Sequence, residues 1–216
     1  MDKDILQAAA KAYEQLIKVE YLIVLGRKGK TSTMHITFQP ENFYHLAGLH
    51  KLKLRYKFQQ KTSAKILANI VKGQLTVSQI ENDDNFRKIV PRLIALQNLS
   101  TILENNDTKF FAYDNRKVSF ATKITADYLA KGSYDSETIT FSFFVKDEAG
   151  TICMNSIFPM EKFDYSSRQT QYTVLFKKRI EHHANNVTEE ELYRHKNFIS
   201  DEGCLTSLEQ KPDCVD

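Results

Sequence analysis

The strongest constraint on the fold of this chain is a switch in the spacing of its apolar residues near residue 105. Before that point the spacing is mostly helical, over residues 3–18 and 62–105, with a predicted β-hairpin at 21–38 between them. After it, alternating apolar residues predict strands at 110–113, 118–126, 138–146, 151–158 and 172–180. Helices that precede a meander of strands favour an α+β fold over βαβ units. We therefore expect N-terminal helices and a helical middle segment packed on a mainly antiparallel β-sheet.

The 216 residues suffice for one substantial core. We predict a single domain over residues 1–183, because no linker separates two compositions. Residues 184–216 carry three basic and eight acidic side chains, for a net charge of −5. They are interpreted as an acidic C-terminal extension, helical at 188–198 and disordered beyond residue 200.

Composition gives an expectation about compartment. No stretch approaches the roughly 18 consecutive apolar residues of a membrane span, and the N-terminus lacks the basic and apolar regions of a signal peptide. The odd cysteine count (Cys153, Cys204 and Cys214) indicates a reducing environment. We expect a soluble cytoplasmic protein with no membrane partner.

Basic residues are concentrated early in the chain. Residues 21–60 carry seven lysines and arginines against the single acid Glu41, for a net charge of +6. Such a segment is typical of a surface that binds an anionic partner. A solvated basic face explains the same pattern equally well.

Several chemistries lack their motifs. The chain has no phosphate-binding loop, no dinucleotide fingerprint, no nucleophile elbow and no zinc-protease motif. His182, His183 and His195 with Cys204 and Cys214 are too scattered for the tight spacing of a structural zinc site. We therefore expect no metal and no cofactor.

Two histidines lie in residues 43–52, which we interpret as one helix capped by Asn42. At about 100° per residue, His45 and His50 both fall toward the apolar side, with the two rings about 140° apart. That location suits a packed, hydrogen-bonded imidazole. It also suits a rigidly held acid–base group.

The same ten residues, Phe43-Tyr44-His45-Leu46-Ala47-Gly48-Leu49-His50-Lys51-Leu52, carry a family resemblance. They resemble the F-x-H-L-x-G-L-x-K-L signature of a phage and mobile-element nuclease family. This family belongs to the barnase–EndoU–colicin–RelE-like group. Within that group, the segment resembles the fourth phage subfamily. The flanks fit too, with a preceding hairpin, a later helix containing Arg92-Leu93-Ile94, and a strand ending Asn155-Ser156-Ile157-Phe158. The resemblance covers roughly residues 10–182.

The resemblance implies a metal-independent endoribonuclease, or toxin-like effector, that cleaves RNA by attack of the 2′-OH on the adjacent phosphate. It gives His45, the signature histidine, the acid–base role, with His50 as a second candidate. Lys51 matches the signature lysine and would stabilise phosphate charge. Ser156 would orient the phosphate, from a strand face that we expect it to share with Ile152, Met154 and Phe158. A buried hydroxyl bonded to a neighbouring strand is an equally good interpretation of Ser156.

Basic residues alternate with aromatic ones in Arg55-Tyr56-Lys57-Phe58 and follow Phe176 at 177–179. Cations bind phosphates and aromatic rings stack on unpaired bases. Candidate substrate-binding residues are Tyr44, Arg55, Lys57 and Lys178, and the expected partner is single-stranded RNA. Lysines that protect a sheet edge would give the same pattern.

Two other functions remain open at this stage. The chain would also fit a non-catalytic module that kept the fold and binds RNA or a host or immunity protein. A structural accessory protein of a mobile element is the third possibility.

Overall fold

The computed structural model describes residues 4–58 and 61–199, and the side chain of Lys57 lies outside that description. In these ranges the α-helices are α1 (Ile5–Leu16), α2 (Phe43–Leu46), α3 (Ser63–Val71), α4 (Phe86–Gln97) and α5 (Leu99–Glu104). The strands in the same ranges are β1 (Val19–Arg27), β2 (Lys30–Thr37), β3 (Lys109–Ala112), β4 (Tyr128–Ser133), β5 (Ile139–Lys146), β6 (Ile152–Pro159), β7 (Thr170–His182) and β8 (Val187–Arg194).

The strands close into a seven-stranded mixed β-barrel. The order around the ring is β1-β2-β6-β5-β4-β3-β7, and β7 pairs with β1 to complete it. Every neighbouring pair is antiparallel except β2 with β6. The 13-residue β7 closes the ring because its first residues pair with β3 and its longer remainder pairs with β1. Strand β8 then pairs with the second half of β7.

The parallel pairing of β2 with β6 is the shortest strand pairing in the barrel. Strands β2 and β6 are registered at only two positions, Ile36 with Ile152 and Thr37 with Cys153. Within the described residues, β6 beyond Cys153 has no strand partner on the β2 side, and helices α2 and α4 pack against β6. The barrel wall therefore changes there from strand to helix.

Apolar side chains fill two main clusters on opposite faces of the strands. The larger lies between the helices and the strands, where Tyr21, Ile23 and Leu25 of β1 alternate inward. The second is an aromatic cluster around Phe141 and Phe143 of β5. Nearly every residue of β1 and β5 is therefore covered. On the second face of β1, Leu22 and Val24 pack with Phe176 in a separate small cluster.

The α+β class is confirmed, and mainly antiparallel pairing holds in a barrel whose closure was not anticipated. Two expectations are wrong. Residues 118–126 are not a strand, and the strand that follows them is β4. Residues 188–198 are not a helix, because β8 occupies 187–194. The helical spacing over 62–105 corresponds to α3, α4 and α5, and the chain breaks at Asn98 between the last two.

The C-terminal expectations fare differently. The predicted boundary at 183/184 falls in the turn of the β7–β8 hairpin, and the division into domain and extension stays a prediction. The predicted disorder beyond residue 200, Cys204 and Cys214 lie outside the described residues. None of the described helices is long and apolar enough to cross a membrane.

Lys177 shows how β7 is fixed to the helices. Its side chain is 1% exposed, and its Nζ donates to the carbonyl oxygens of Leu103 at 3.0 Å and Asn105 at 2.6 Å. These carbonyls lie at the C-terminal end of α5, where oxygens lack helical partners. Burial lowers the pKa of Lys177 to about 8, while Glu104 and Asp107 oppose the shift. The basic run at 177–179 is therefore partly internal.

We expect Lys177→Ala to lower the free energy of unfolding by about 2–4 kcal/mol, because it removes a buried stem and the Nζ donor of both carbonyls. The Asn105 carbonyl keeps the Thr108 amide as a donor at 3.2 Å. The matched control is Lys178→Ala, whose Nζ pairs with the exposed Glu189 at 2.8 Å. That change should cost at most about 1 kcal/mol. Urea unfolding measures both, and equal losses would contradict an internal role for Lys177.

Candidate active site

The signature segment is a short helix and a tight turn rather than one helix over 43–52. Helix α2 ends at Leu46, Gly48 adopts a left-handed φ of +76°, and Leu49–Lys51 forms a single 3₁₀ turn. Leu46 and Leu49 are fully buried and anchor the two halves. The predicted continuous helix is wrong because Gly48 reverses the backbone in the middle of it.

Gly48 also lies against α4 at very short range. A Cβ atom at this position would be 3.0 Å from Cγ2 of Ile89 and 3.1 Å from Cδ of Arg92. Only a glycine lets the turn approach α4 this closely. The turn and the Arg92 side chain are thus fixed relative to each other.

The turn stacks the two histidine rings. The centroids of His45 and His50 are 4.2 Å apart with an interplanar angle of 7°. The expected separation of about 140° is wrong, because it assumed an unbroken helix. His45 is exposed rather than directed toward the apolar side, and His50 is half-buried. Nδ1 of His50 is buried without a well-aligned hydrogen-bond partner.

Arg92 brings a largely desolvated positive charge to the same place. Its guanidinium carbon lies 5.1 Å from the centroid of the Phe158 ring, and its Nη1 donates to Oγ of Ser156 at 3.5 Å. No carboxylate among the described residues forms an ion pair with Arg92. A guanidinium has five N–H donors, so most of its capacity is left for another acceptor.

A β-bulge directs Ser156 toward Arg92. In the β5–β6 pairing, Phe143 is opposite Ser156 and Phe144 is opposite Met154, so Asn155 is the extra residue. The bulge reverses the alternation of β6. Met154 belongs to the helix-facing core, whereas Phe158 packs on the aromatic cluster. The expectation that Ser156 shares a face with Ile152 and Met154 is therefore wrong, and it shares one with Phe158 alone.

A cleft of about 330 Å³ opens beside Arg92. Its charged residues are four cations and one acid, and the rest of its lining is apolar or aromatic. The lining residues are Lys51, Lys88, Pro91, Arg92, Ile124, Phe158, Pro159, Glu161, Lys162, Phe163 and Tyr165.

His45 lines a different, smaller cavity of about 170 Å³, together with Asn42 and Asn155. The sequence-predicted His45 and Lys51 thus lie at neighbouring openings rather than in one cleft. Both are close enough to Arg92 for their charges to interact.

The site carries a positive potential that, among the described residues, the Glu161 carboxylate balances only in part. Desolvation lowers the pKa of His45, and the charges of Arg92 and Lys51 lower it further. The pKa of His50 falls to about 4 through desolvation and then through His45, Lys51 and Arg92, against an opposing hydrogen bond to the Tyr44 backbone. Desolvation and Arg92 also lower the pKa of Lys51, although Glu161 opposes them. Both imidazoles are therefore neutral at pH 7.

Two polar side chains fasten the turn to the start of α4. The buried Asp83 carboxylate accepts from the backbone amides of Leu54 at 2.7 Å and Asn85 at 2.9 Å. The Asn85 side chain donates from Nδ2 to the Lys51 carbonyl at 2.9 Å and accepts from Lys88 Nζ at 2.8 Å. The positions of Lys51 and Lys88 are therefore coupled.

Three of the candidate substrate-binding residues, Tyr44, Arg55 and Lys178, lie outside the cleft. Tyr44 packs edge-on against His50, with ring centroids 6.5 Å apart, and supports that imidazole. Arg55 is exposed and near Tyr44, and burial raises the pKa of the Tyr44 phenol while Arg55 opposes the shift. Lys178 is held by Glu189 on the β7–β8 hairpin. The side chain of Lys57 lies outside the described residues.

A family model matches residues 5–193 of the chain, which includes the barrel, the signature turn and α4. The model is described as phage-Barnase-EndoU-ColicinE5/D-RelE like nuclease 4. The chain belongs to this nuclease family. No curated protein and no solved structure matches the chain at a significant level. The resemblance found in the signature segment is confirmed.

Of the charged and aromatic residues that line the cleft, sequence reasoning singled out only Lys51 as a site residue. Arg92 entered only as part of the family resemblance, and Lys88, Lys162, Phe163 and Tyr165 were not considered. One signal was available in the sequence of α4. Lys88 and Arg92 are four residues apart and therefore lie on one face of the helix. The buried Ile89 and Leu93 lie on a different face. Residues 160–165 carried no comparable signal.

Potential metal ligands are not gathered near this site. Within residues 4–58 and 61–199, no three or more His, Cys, Asp or Glu side chains are close enough together to hold a metal ion. The chemistry available at the cleft is that of imidazole, ammonium, guanidinium and hydroxyl groups.

We expect Gly48→Ala to destabilise the protein more than Gly29→Ala, although both glycines have nearly the same φ, +76° and +75°. The backbone strain of about 1–2 kcal/mol is common to both changes. Only Gly48 has close neighbours, because no atom lies within 4 Å of a Cβ built at Gly29. Urea unfolding should show an additional loss of about 1–3 kcal/mol for Gly48→Ala. Equal losses would argue against the close contact with α4.

The His50 ring predicts a pH dependence of stability. The unfolded imidazole takes up a proton near pH 6.5, but the folded one does so only near pH 4. The unfolded state therefore binds more protons between these values, and stability falls as the pH is lowered through that window. Because the ring is half-buried, the loss should be on the order of 1 kcal/mol relative to His50→Gln. Urea unfolding at pH 7.5 and pH 4 measures it, and parallel pH profiles for the two proteins would contradict the shift.

Proposed function

We propose that this protein is an endoribonuclease that needs no metal ion and cleaves RNA by in-line attack of the ribose 2′-OH on the adjacent phosphate. The observation that supports it best is the guanidinium of Arg92. It is largely desolvated, has no carboxylate partner among the described residues, and lies beside Lys51 and the stacked histidines. Membership of a nuclease family makes nucleic acid the natural anion for this site.

The roles follow from protonation. His45, neutral and exposed, accepts the 2′-OH proton as the 2′-oxygen bonds to phosphorus. Lys51, whose pKa is lowered by desolvation and by Arg92, donates a proton to the departing 5′-oxygen. The products are a 2′,3′-cyclic phosphate and a 5′-hydroxyl end.

The remaining groups bind the phosphate and affect the pKa of the histidine pair. Arg92 donates to the non-bridging phosphate oxygens and stabilises the charge that develops on them. Ser156 lies within reach of the Arg92 guanidinium and shares in orienting the phosphate. His50 stacks on His45, and the charge of His45 adds to desolvation in lowering the pKa of His50.

One observation favours a second candidate, a non-catalytic RNA-binding module. The histidines do not line the cleft that contains Lys51 and Arg92, and His45 opens into the smaller cavity. A module of this kind would bind RNA in the cleft and leave it intact.

The test is to incubate the purified protein with end-labelled RNA in EDTA and to map the product ends. We expect 2′,3′-cyclic phosphate ends and no cleavage of a 2′-deoxy substrate. His45→Ala and Lys51→Ala should each lower the rate about 10²–10⁴-fold, and Arg92→Ala about 10²–10³-fold. His183→Ala and Lys11→Ala, which change surface residues outside the cleft, are the controls.

A substrate with a 5′-bridging sulfur separates the two proton transfers, because a thiolate leaves without needing a proton. It should restore the rate of Lys51→Ala but not that of His45→Ala. Intact RNA that binds the protein in the same buffer would favour the non-catalytic module. Cleavage of 2′-deoxy substrate would rule out attack by the 2′-OH.

A further inference from the structure

One wall of the cleft carries aromatic rings that the proposed chemistry does not use. Phe163 is 50% exposed, and its ring stacks on Phe120 with centroids 4.3 Å apart and an interplanar angle of 20°. Phe120 in turn meets Tyr165 edge-on at 4.8 Å. One face of the Phe163 ring is covered by Phe120, so its exposure comes from the rest of the ring.

Two irregular segments supply these rings, and both are tied to the barrel. Residues 160–169 are fixed by Asp164, whose Oδ2 accepts from Lys131 Nζ at 2.8 Å and whose Oδ1 accepts from the Ser166 amide at 2.9 Å. Residues 118–126 are fixed by Asn155, whose Nδ2 donates to the Thr125 carbonyl at 2.7 Å. A surface held in place in this way loses little conformational freedom when a ligand binds.

An isolated exposed phenylalanine would need no explanation. Phe163, however, lines the same cleft as Lys51 and Arg92, so an uncovered ring and an excess of positive charge are presented to one ligand. The cleft volume of about 330 Å³ lies at the lower end of the range for small-ligand sites. A ligand that contacts both the Phe163 ring and the cations needs a flat aromatic group joined to an anionic group.

We propose that the outer face of Phe163 is a stacking platform for a nucleobase, namely the base attached to the phosphate that Arg92 and Lys51 hold. The nucleic-acid identity of the ligand rests on the proposed function. A base is free to stack on a side chain only when it is unpaired, so the platform selects single-stranded substrate. Stacking tolerates any base, because each has a π-face.

The neighbouring charges fit a chain of nucleotides. Lys162 precedes Phe163 and lines the cleft, and Lys88 lines it from α4. These cations are available to the phosphates on either side of the stacked nucleotide. Glu161 is the one acid that the described part of the chain contributes to the lining.

The experiment measures binding with probes that attack by the 2′-OH cannot cleave. One is a 2′-O-methyl trinucleotide containing 2-aminopurine, whose fluorescence is quenched on stacking, and the other is its abasic counterpart. The variant is Phe163→Leu, which keeps an apolar side chain but removes the π-face. The matched control is Tyr56→Leu, because Tyr56 is 58% exposed and does not line the cleft.

We expect the full-length protein to quench 2-aminopurine, and Phe163→Leu to abolish the quenching and raise the Kd of the base-bearing probe about tenfold. The abasic probe should bind both proteins equally, and Tyr56→Leu should change neither Kd. The proposal is overturned if the unchanged protein does not quench, if Phe163→Leu binds both probes as before, or if it weakens both equally. It is also overturned if Tyr56→Leu, and not Phe163→Leu, removes the quenching.

Cleavage is scored separately from stacking. RNA left intact, together with the expected quenching, would defeat the nuclease proposal and leave the platform standing. Cleavage with no effect of Phe163→Leu on either probe would do the reverse.

Discussion

The close contact between Gly48 and α4 sets the geometry of the candidate site. The left-handed φ of Gly48 ends α2 and turns the chain, so that His50 returns beneath His45 with their rings parallel. The missing side chain lets the same turn lie directly on Arg92. The contact therefore links two groups of different chemistry, the stacked imidazoles and a guanidinium. Displacing one would displace the other.

The barrel allows this contact because it is incomplete on one side. Strands β2 and β6 pair at only two positions, and helices α2 and α4 pack where the pairing stops. The bulge at Asn155 lies in the same stretch of β6 and directs Ser156 to the guanidinium. A regular β6 would alternate without interruption, so Ser156 and Phe158 would lie on the same face as Met154, which belongs to the helix-facing core. Irregular backbone is thus concentrated where the polar groups converge.

Sequence reasoning succeeded where structure is local and failed where it depends on distant pairing. Helix α1, the β1–β2 hairpin and strands β5 and β6 follow from spacing and turn residues alone. Closure could not be predicted, because it pairs β1 with β7 across most of the chain. Strand β8 was mistaken for a helix because Glu189, Glu190 and Glu191 lie on a solvent-exposed strand and give no alternation. The histidine turn was located correctly, but a single glycine decided its shape.

In the proposed reaction the substrate itself would adjust the histidine pair. The free site lowers the pKa of both imidazoles through desolvation and the nearby charges of Arg92 and Lys51, so the pair is neutral and can accept a proton. A phosphate bound to Arg92 would cancel part of that charge and raise both pKa values. Linkage requires the converse, so protonation of the pair must strengthen phosphate binding by the same factor. The stacked rings cannot both be charged cheaply at 4.2 Å, which limits the pair to one proton at a time. The proton taken from the 2′-OH would therefore be held most firmly while the phosphate is still bound.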